Sequence, residues 1–153
     1  MYAGTCGETM ICAGGTNFPD KPMLEGGAKT WTDRIFTLSP GENGWTEAGT
    51  LPAPYAYGAS ASTREGLLCI GGCGKEGHRK DVYLLSTADG AVTVTPFPPL
   101  PIALAYTAAA VLDGKVYLTG GCERPGEQDC TNRVSCWTHA GRNRAGRSWP
   151  LTR

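Results

Sequence analysis

The sequence predicts an all-β fold built from one small antiparallel sheet, repeated along the chain. Three observations carry that prediction. The doublet Gly-Gly closes a short apolar run three times, as Ile11-Cys12-Ala13-Gly14-Gly15, Leu68-Cys69-Ile70-Gly71-Gly72 and Tyr117-Leu118-Thr119-Gly120-Gly121, the copies lying 57 and 49 residues apart. Sliding the second copy onto the third by 49 residues needs no gap: Leu51-Pro52 falls on Leu100-Pro101, Ala56-Tyr57 on Ala105-Tyr106, Ala59 and Ala61 on Ala108 and Ala110, and Gly71-Gly72-Cys73 on Gly120-Gly121-Cys122. No window of about 11 residues shows a convincing 3.6-residue apolar period, so no amphipathic helix is expected.

A period near 50 residues with Gly-Gly at a strand end is the signature of kelch-type β-propeller blades. Propellers close with about 4–8 four-stranded blades, so 153 residues hold about three and leave the ring open. The expected units are a blade over 1–52 with a long loop after its Gly-Gly and an incomplete start, a blade over 53–101, a partial blade over 102–137, and a basic tail over 138–153, disordered or solvated. Tyr2 aligns on Ala59, which leaves the first half of the opening strand missing.

In the first repeat, residues 34–39 read as the third strand and 44–48, with Trp45, as the fourth. The second repeat is the clearest. Residues 57–63 are small and alternating, as an inner strand near a crowded axis must be. Arg64-Glu65-Gly66 is a hairpin turn, 67–70 a buried apolar strand, 81–86 a third strand rich in β formers, and 91–97 an outer strand alternating Val and Thr. In the third repeat, 106–112, 115–119 and 132–137 follow the same plan, with Trp149-Pro150 an echo of a fourth strand. Leu67, Leu84 and Ile102 are expected on apolar faces that an open arc leaves uncovered. Antiparallel order puts the segment leading into strand one and the loop leaving strand two at the same end. Any chemical site near the axis would draw on those loops.

Formal charge is balanced, with 14 basic and 14 acidic residues, which argues against a nucleic-acid or anionic-membrane partner. No apolar run approaches the roughly 18 residues of a membrane span, and no secretion signal is visible; cytoplasm and periplasm both stay open. Of seven cysteines, Cys12 and Cys69 share one repeat position and Cys73 and Cys122 another, which suits small buried strand residues better than disulfides. Cys122, Cys130 and Cys136 match no common zinc spacing, so no metal is expected.

Long loops on a rigid scaffold are where binding groups usually sit. The segment 16–32 is about nine residues longer than its counterpart in the second repeat. It offers Asn17, Phe18, Glu25 and Lys29 as candidate binding groups, against the plainer reading of a solvated loop packed by Phe18 and Trp31. The second loop carries His78, read as an exposed polar group, and Arg79, held at a strand start where its fork could grip a carboxylate through paired hydrogen bonds. The third offers Glu123 and Arg124. Arg34 and Arg133 share a repeat position, which favours a structural role. Gly-Gly reads here as a strand terminator and not a phosphate cradle, since no helix follows it.

At Ala13-Gly14-Gly15-Thr16-Asn17-Phe18-Pro19-Asp20 and Glu25-Gly26-Gly27-Ala28-Lys29 the chain resembles the N-acetylneuraminate epimerases, or sialic acid mutarotases, above all their cyclically permuted branch. Similar features continue through Asp33-Arg34-Ile35-Phe36, Trp45, Leu51-Pro52, Ala56-Tyr57-Gly58 and Cys69-Ile70-Gly71-Gly72. The resemblance implies a fragment of a six-bladed propeller that interconverts the anomers of N-acetylneuraminate, a small sugar acid, without a cofactor, its partners being the missing blades. It also implies a catalytic glutamate with an arginine six residues later. Here Glu123 is followed at that distance by Asp129, so the catalytic residues are unknown, the catalytic blade is expected beyond residue 153, and the chain alone is expected to be inactive. The competing expectation is a kelch interaction module that binds a protein through exposed aromatic anchors with no charged cluster.

Overall fold

A computed structural model describes residues 1–88, 90–126, 131, 134–138 and 151–152. They form three four-stranded antiparallel sheets and one small hairpin, with no α-helix among them. The first sheet orders β1 (Tyr2–Cys6), β2 (Thr9–Asn17), β3 (Thr30–Leu38) and β4 (Thr46–Thr50) side by side. The second uses β5 (Ala59–Ser62) and β6 (Leu67–Ile70), then β9 (Val82–Ala88) and β10 (Ala91–Phe97) after the hairpin β7 (Cys73–Gly74) and β8 (Gly77–His78). The third orders β11 (Ala108–Leu112), β12 (Lys115–Thr119), β13 (Val134–Thr138) and β14 (Leu151–Thr152). These are successive blades of an open propeller arc; they do not close a ring.

The alternation of side chains along each strand explains the stacking. In β6 all four residues are buried, because the strand is covered on both faces. Leu67, Cys69 and Leu85 join Tyr2, Ile11, Ala13, Ile35 and Leu51 in a core between the first and second blades. Leu68, Ile70 and Val82 join Leu100, Leu104, Val116 and Leu118 between the second and third. Each fully buried Leu or Ile contributes about 1.5–3 kcal/mol relative to exposure. Leu67 is therefore not an open-face residue as expected. It faces the first blade, where Gly4 makes room: a Cβ there would sit 2.5 Å from the Leu67 side chain. Leu84 and Ile102 likewise pack against the second core. Exposed large apolar side chains include Met10 on the first blade, Leu112 on the third, and Met23 and Leu24 in the long loop.

The Gly-Gly corners are equivalent. The first glycine has φ of 61°, 60° and 70° at Gly14, Gly71 and Gly120, and the second 125°, 96° and 96° at Gly15, Gly72 and Gly121. This left-handed region is costly for residues with a Cβ. The corners also tie the blades together. Gly15 N–H donates to the Tyr55 carbonyl, and Gly72 N–H to that of Leu104, both at 2.7 Å; Tyr55 and Leu104 are repeat partners. Tyr2 adds a buried bond from its hydroxyl to the Gly71 carbonyl at 2.5 Å.

β1 pairs with β2 from Tyr2 to Cys6, and β5 begins at Ala59, the repeat partner of Tyr2. Contrary to expectation, the first Gly-Gly does not end its strand. The chain bulges at Gly14, and the ladder resumes with Gly15 opposite Thr32 and runs to Asn17 opposite Thr30. In the tail, Leu151–Thr152 pair with Val134 and Ser135 of β13 as the fourth strand of the third sheet; Arg133 and Trp149-Pro150 lie outside the described residues.

Candidate functional site

The long β2–β3 ladder carries its loop toward the segment that leads into β5, and the two build one wall of a cleft. Tyr57 and Tyr106, repeat partners just before β5 and β11, both adopt the left-handed backbone, with φ of 59° and 60°. Bulky residues there are outliers, and such strain gathers at functional sites. Backbone bonds hold them. Ala56 and Cys73 exchange N–H and carbonyl at 2.9 and 2.8 Å, Ala105 and Cys122 do the same at 3.1 and 2.8 Å, and Tyr106 N–H donates to the Tyr57 carbonyl at 2.7 Å. The two rings meet with centroids 5.1 Å apart. Trp31 packs edge-on against Tyr57 at 5.8 Å, and His78 against Tyr106 at 5.9 Å.

This aromatic wall lines a cleft of about 290 Å³ with Lys29, Cys73, Gly74, Lys75, Glu76, Gly77, Pro125 and Gly126. That is near the lower end of the roughly 300–1,000 Å³ typical of small-molecule sites. Lys29 Nζ donates to the Tyr57 hydroxyl at 3.1 Å, and Thr16 Oγ1 lies 3.1 Å from the same oxygen. The ammonium also sits 5.1 Å from the Tyr57 ring centroid and 5.7 Å from that of Trp31, a cation–π setting. The bonds from Thr16 and Lys29 pull the Tyr57 phenol below its ordinary pKa, and the bond to Tyr57 raises Lys29. Burial pushes Tyr106 up, and burial likewise raises the Cys73 thiol, to which Tyr106 is hydrogen-bonded. A second cleft of about 180 Å³ at the β9–β10 turn is lined, among the described residues, by Thr9, Thr37, Ser39, Thr87, Ala88 and Gly90, none of them ionisable.

Of the seven binding candidates read from sequence, Lys29 lines the larger cleft. Asn17 is exposed at the end of β2, its side-chain oxygen accepting from Thr30 at 2.5 Å; Phe18 is half-buried; Glu25 is exposed on the short 3-10 turn Met23–Glu25. Arg79 does not line the cleft. Its guanidinium donates to Glu76 at 3.0 Å and lies 5.5 Å from the Tyr55 ring. Glu123 and Arg124 directly precede the cleft residues Pro125 and Gly126. His78, expected as an exposed polar group, is half-buried and donates through Nδ1 to the Cys122 carbonyl at 3.0 Å. Sequence reading placed Tyr57 and Tyr106 at the correct end without assigning them to the site; the signal that could have found them is an Ala-Tyr repeated 49 residues apart in a lead-in. Arg34 is structural, bonded twice to Glu47 and stacked over Phe36 at 4.7 Å.

No protein-family model matches the chain. Among curated proteins it is similar to the N-acetylneuraminate epimerase of Brucella suis, with 35% identity over 103 residues, 61% of this chain and 26% of the relative. The N-acetylneuraminate epimerase of Vibrio cholerae is 33% identical over 104 residues, again 61% of this chain and 26% of the relative. N-acetylneuraminate epimerase 1 of Escherichia coli is 28% identical over 117 residues, 74% of this chain and 32% of the relative. The resemblance to N-acetylneuraminate epimerases is thus shown, and the chain spans about a quarter to a third of their length.

Proposed function

We propose that this chain forms part of a carbohydrate isomerase that interconverts the anomers of N-acetylneuraminate by acid–base ring opening, and that the aromatic cleft is part of its sugar site. The observation that carries this reading is the Lys29 ammonium held in an aromatic-walled cleft on the face where the post-Gly-Gly loops gather. A sugar acid presents a carboxylate and apolar C–H faces. Lys29, with Lys75 also lining the cleft, suits the carboxylate, and the rings of Tyr57 and Tyr106 suit the apolar sugar ring. Asn17, Phe18, Glu25, Arg79, Glu123 and Arg124 are assigned to the surrounding loops as further binding groups. The relatives being longer, the reading includes further kelch blades completing the ring. An interaction module would present aromatic anchors without a charged cluster; the charged lining of Lys29, Lys75 and Glu76 favours the sugar acid.

The test is calorimetric titration of the folded chain with N-acetylneuraminate, alongside Lys29→Ala. A lost charge-assisted hydrogen bond costs about 1.5–3 kcal/mol, and exposure of Lys29 argues for the lower end, about tenfold in affinity. Wild-type binding unchanged by Lys29→Ala removes the cleft from the sugar site.

A further inference from the structure

The chemistry of ring opening needs one proton delivered to the ring oxygen and one withdrawn from the anomeric hydroxyl, and the cleft contains one group built for such a transfer. The Tyr57 hydroxyl is held by two side chains from a different blade, Thr16 at the end of β2 and Lys29 in the loop that follows, each 3.1 Å away. Two ends of one strand–loop segment and a tyrosine at least 28 residues further on meet at one phenolic oxygen. The ring is fixed as well, by a left-handed backbone, by Trp31 on its edge and by Tyr106 at 5.1 Å. Holding a phenol in this way is unnecessary for packing alone, since Tyr106 keeps the same backbone and the same stack with a hydrogen bond to the Cys73 thiol and, among the described residues, no cation–hydroxyl pair.

We propose that Thr16, Tyr57 and Lys29 form a proton-transfer unit acting on the bound sugar, with the Tyr57 phenol as its acid. This rests on the isomerase reading. As the bond between the anomeric carbon and the ring oxygen breaks, the Tyr57 O–H bond breaks and its proton goes to that oxygen. The anomeric hydroxyl gives its proton to water, and the electron pair it leaves forms the open-chain carbonyl. Reclosure on the other carbonyl face reverses each transfer: the ring hydroxyl returns its proton to the Tyr57 phenolate, and the new anomeric oxygen takes one from water. The transient phenolate is stabilised where it forms, by the Lys29 ammonium and the Thr16 hydroxyl, a preorganised arrangement that needs no reorientation during the step. The same two bonds hold the phenol below its ordinary pKa and so make it a stronger acid. The other ionisable groups around it are Cys73 and Tyr106, with Lys75, Glu76 and His78 further along the cleft. The chain then carries a proton-transfer group of its own, in addition to the glutamate–arginine pair that the resemblance places elsewhere.

The experiment follows anomer exchange of N-acetylneuraminate by proton exchange NMR across pH, with saturation transfer reporting binding and circular dichroism confirming the fold. It compares the chain with Tyr57→Phe and Lys29→Met, using ring-13C tyrosine to read the Tyr57 titration. Contrary to the inactivity that the resemblance implies for the chain alone, this unit is expected to let the chain accelerate exchange. A positioned acid contributes about 10²–10⁴-fold, so Tyr57→Phe is expected to lose at least about tenfold while the sugar still binds. The acid form is the active one, so the rate falls as pH rises through the Tyr57 pKa. In Lys29→Met that falling limb and the Tyr57 resonance both move to higher pH, a change that a purely structural role would not produce. Sugar binding with exchange unchanged in Tyr57→Phe, or Tyr57 titrating at the ordinary phenol value near 10 regardless of Lys29, overturns the proposal alone. Absence of both binding and acceleration overturns the isomerase reading and this proposal with it.

Discussion

Alanine at Gly71 and at its repeat partner Gly120 should have very different costs, although both glycines sit at the same corner with nearly the same backbone. Both have left-handed φ, 60° and 70°, and a Cβ in that region costs about 1–2 kcal/mol. At Gly71 the new carbon would also lie 2.5 Å from the Leu104 carbonyl oxygen and 3.2 Å from Leu100. That contact is backbone and cannot swing away. Relieving it means moving the lead-in to the third blade and stretching the bond from Gly72 N–H to Leu104, a further loss of about 1 kcal/mol or more. At Gly120 no described atom lies within 4 Å of the same position. Gly71→Ala should therefore destabilise by about 2–4 kcal/mol and Gly120→Ala by about 1–2 kcal/mol. For a chain of this size, each kcal/mol moves the midpoint by about 2–4 °C. Thermal melts by circular dichroism, backed by urea titrations, compare the two. Equal shifts, or a larger loss at Gly120, would refute the claim that the Gly71 corner is a docking contact.

Tyr2→Phe leaves the buried Gly71 carbonyl without its donor and should lower stability by about 1–3 kcal/mol in urea titrations; no loss would show that the bond contributes nothing net. Burial pushes Tyr2, Cys69 and Tyr83 above their ordinary phenol and thiol values. The unfolded chain therefore ionises first as pH rises, and stability, fully present below about pH 8.5, should decline above it; a flat stability curve to pH 11 would contradict this, and Tyr2→Phe should flatten the decline. The half-buried Cys6 and Cys12 should be alkylated by iodoacetamide well before the buried Cys69, read by peptide mass mapping; equal rates would mean that the first two blades separate readily.

Local pattern made the strands legible. The outer strand 91–97 and the hairpin strand 115–119 are placed residue for residue as β10 and β12, because alternation and turn chemistry are encoded within a few residues. Contacts across blades were harder to read. Leu67 looks like any edge-facing leucine until Gly4, 63 positions earlier, is seen to leave space for it. The Tyr57 site joins positions 16, 29 and 57, and nothing in a 13- or 28-residue spacing announces a shared hydrogen bond. Arg79 was selected for its charge and its place before a strand; its guanidinium bonds to Glu76 three residues earlier and lies near the Tyr55 ring, with its buried Nε unpaired among the described residues. The continuation of β2 past Gly-Gly was hidden because a glycine bulge and a strand end look alike in sequence.

The glycine corners bear on how such a chain is assembled and reshaped. Gly15 reaches forward to Tyr55, Gly72 to Leu104, and Tyr57 to Tyr106, always from one blade to the one that follows it in the chain. A blade emerging from the ribosome thus finds its docking partner already made, one unit behind it. Short loops of this kind close with little entropy, each doubling of length adding only about 0.6 kcal/mol. Because the couplings are between neighbours, a unit of about 50 residues can be duplicated, exchanged or given a new opening point by recombination, provided that the break falls in a lead-in and not at a Gly-Gly corner.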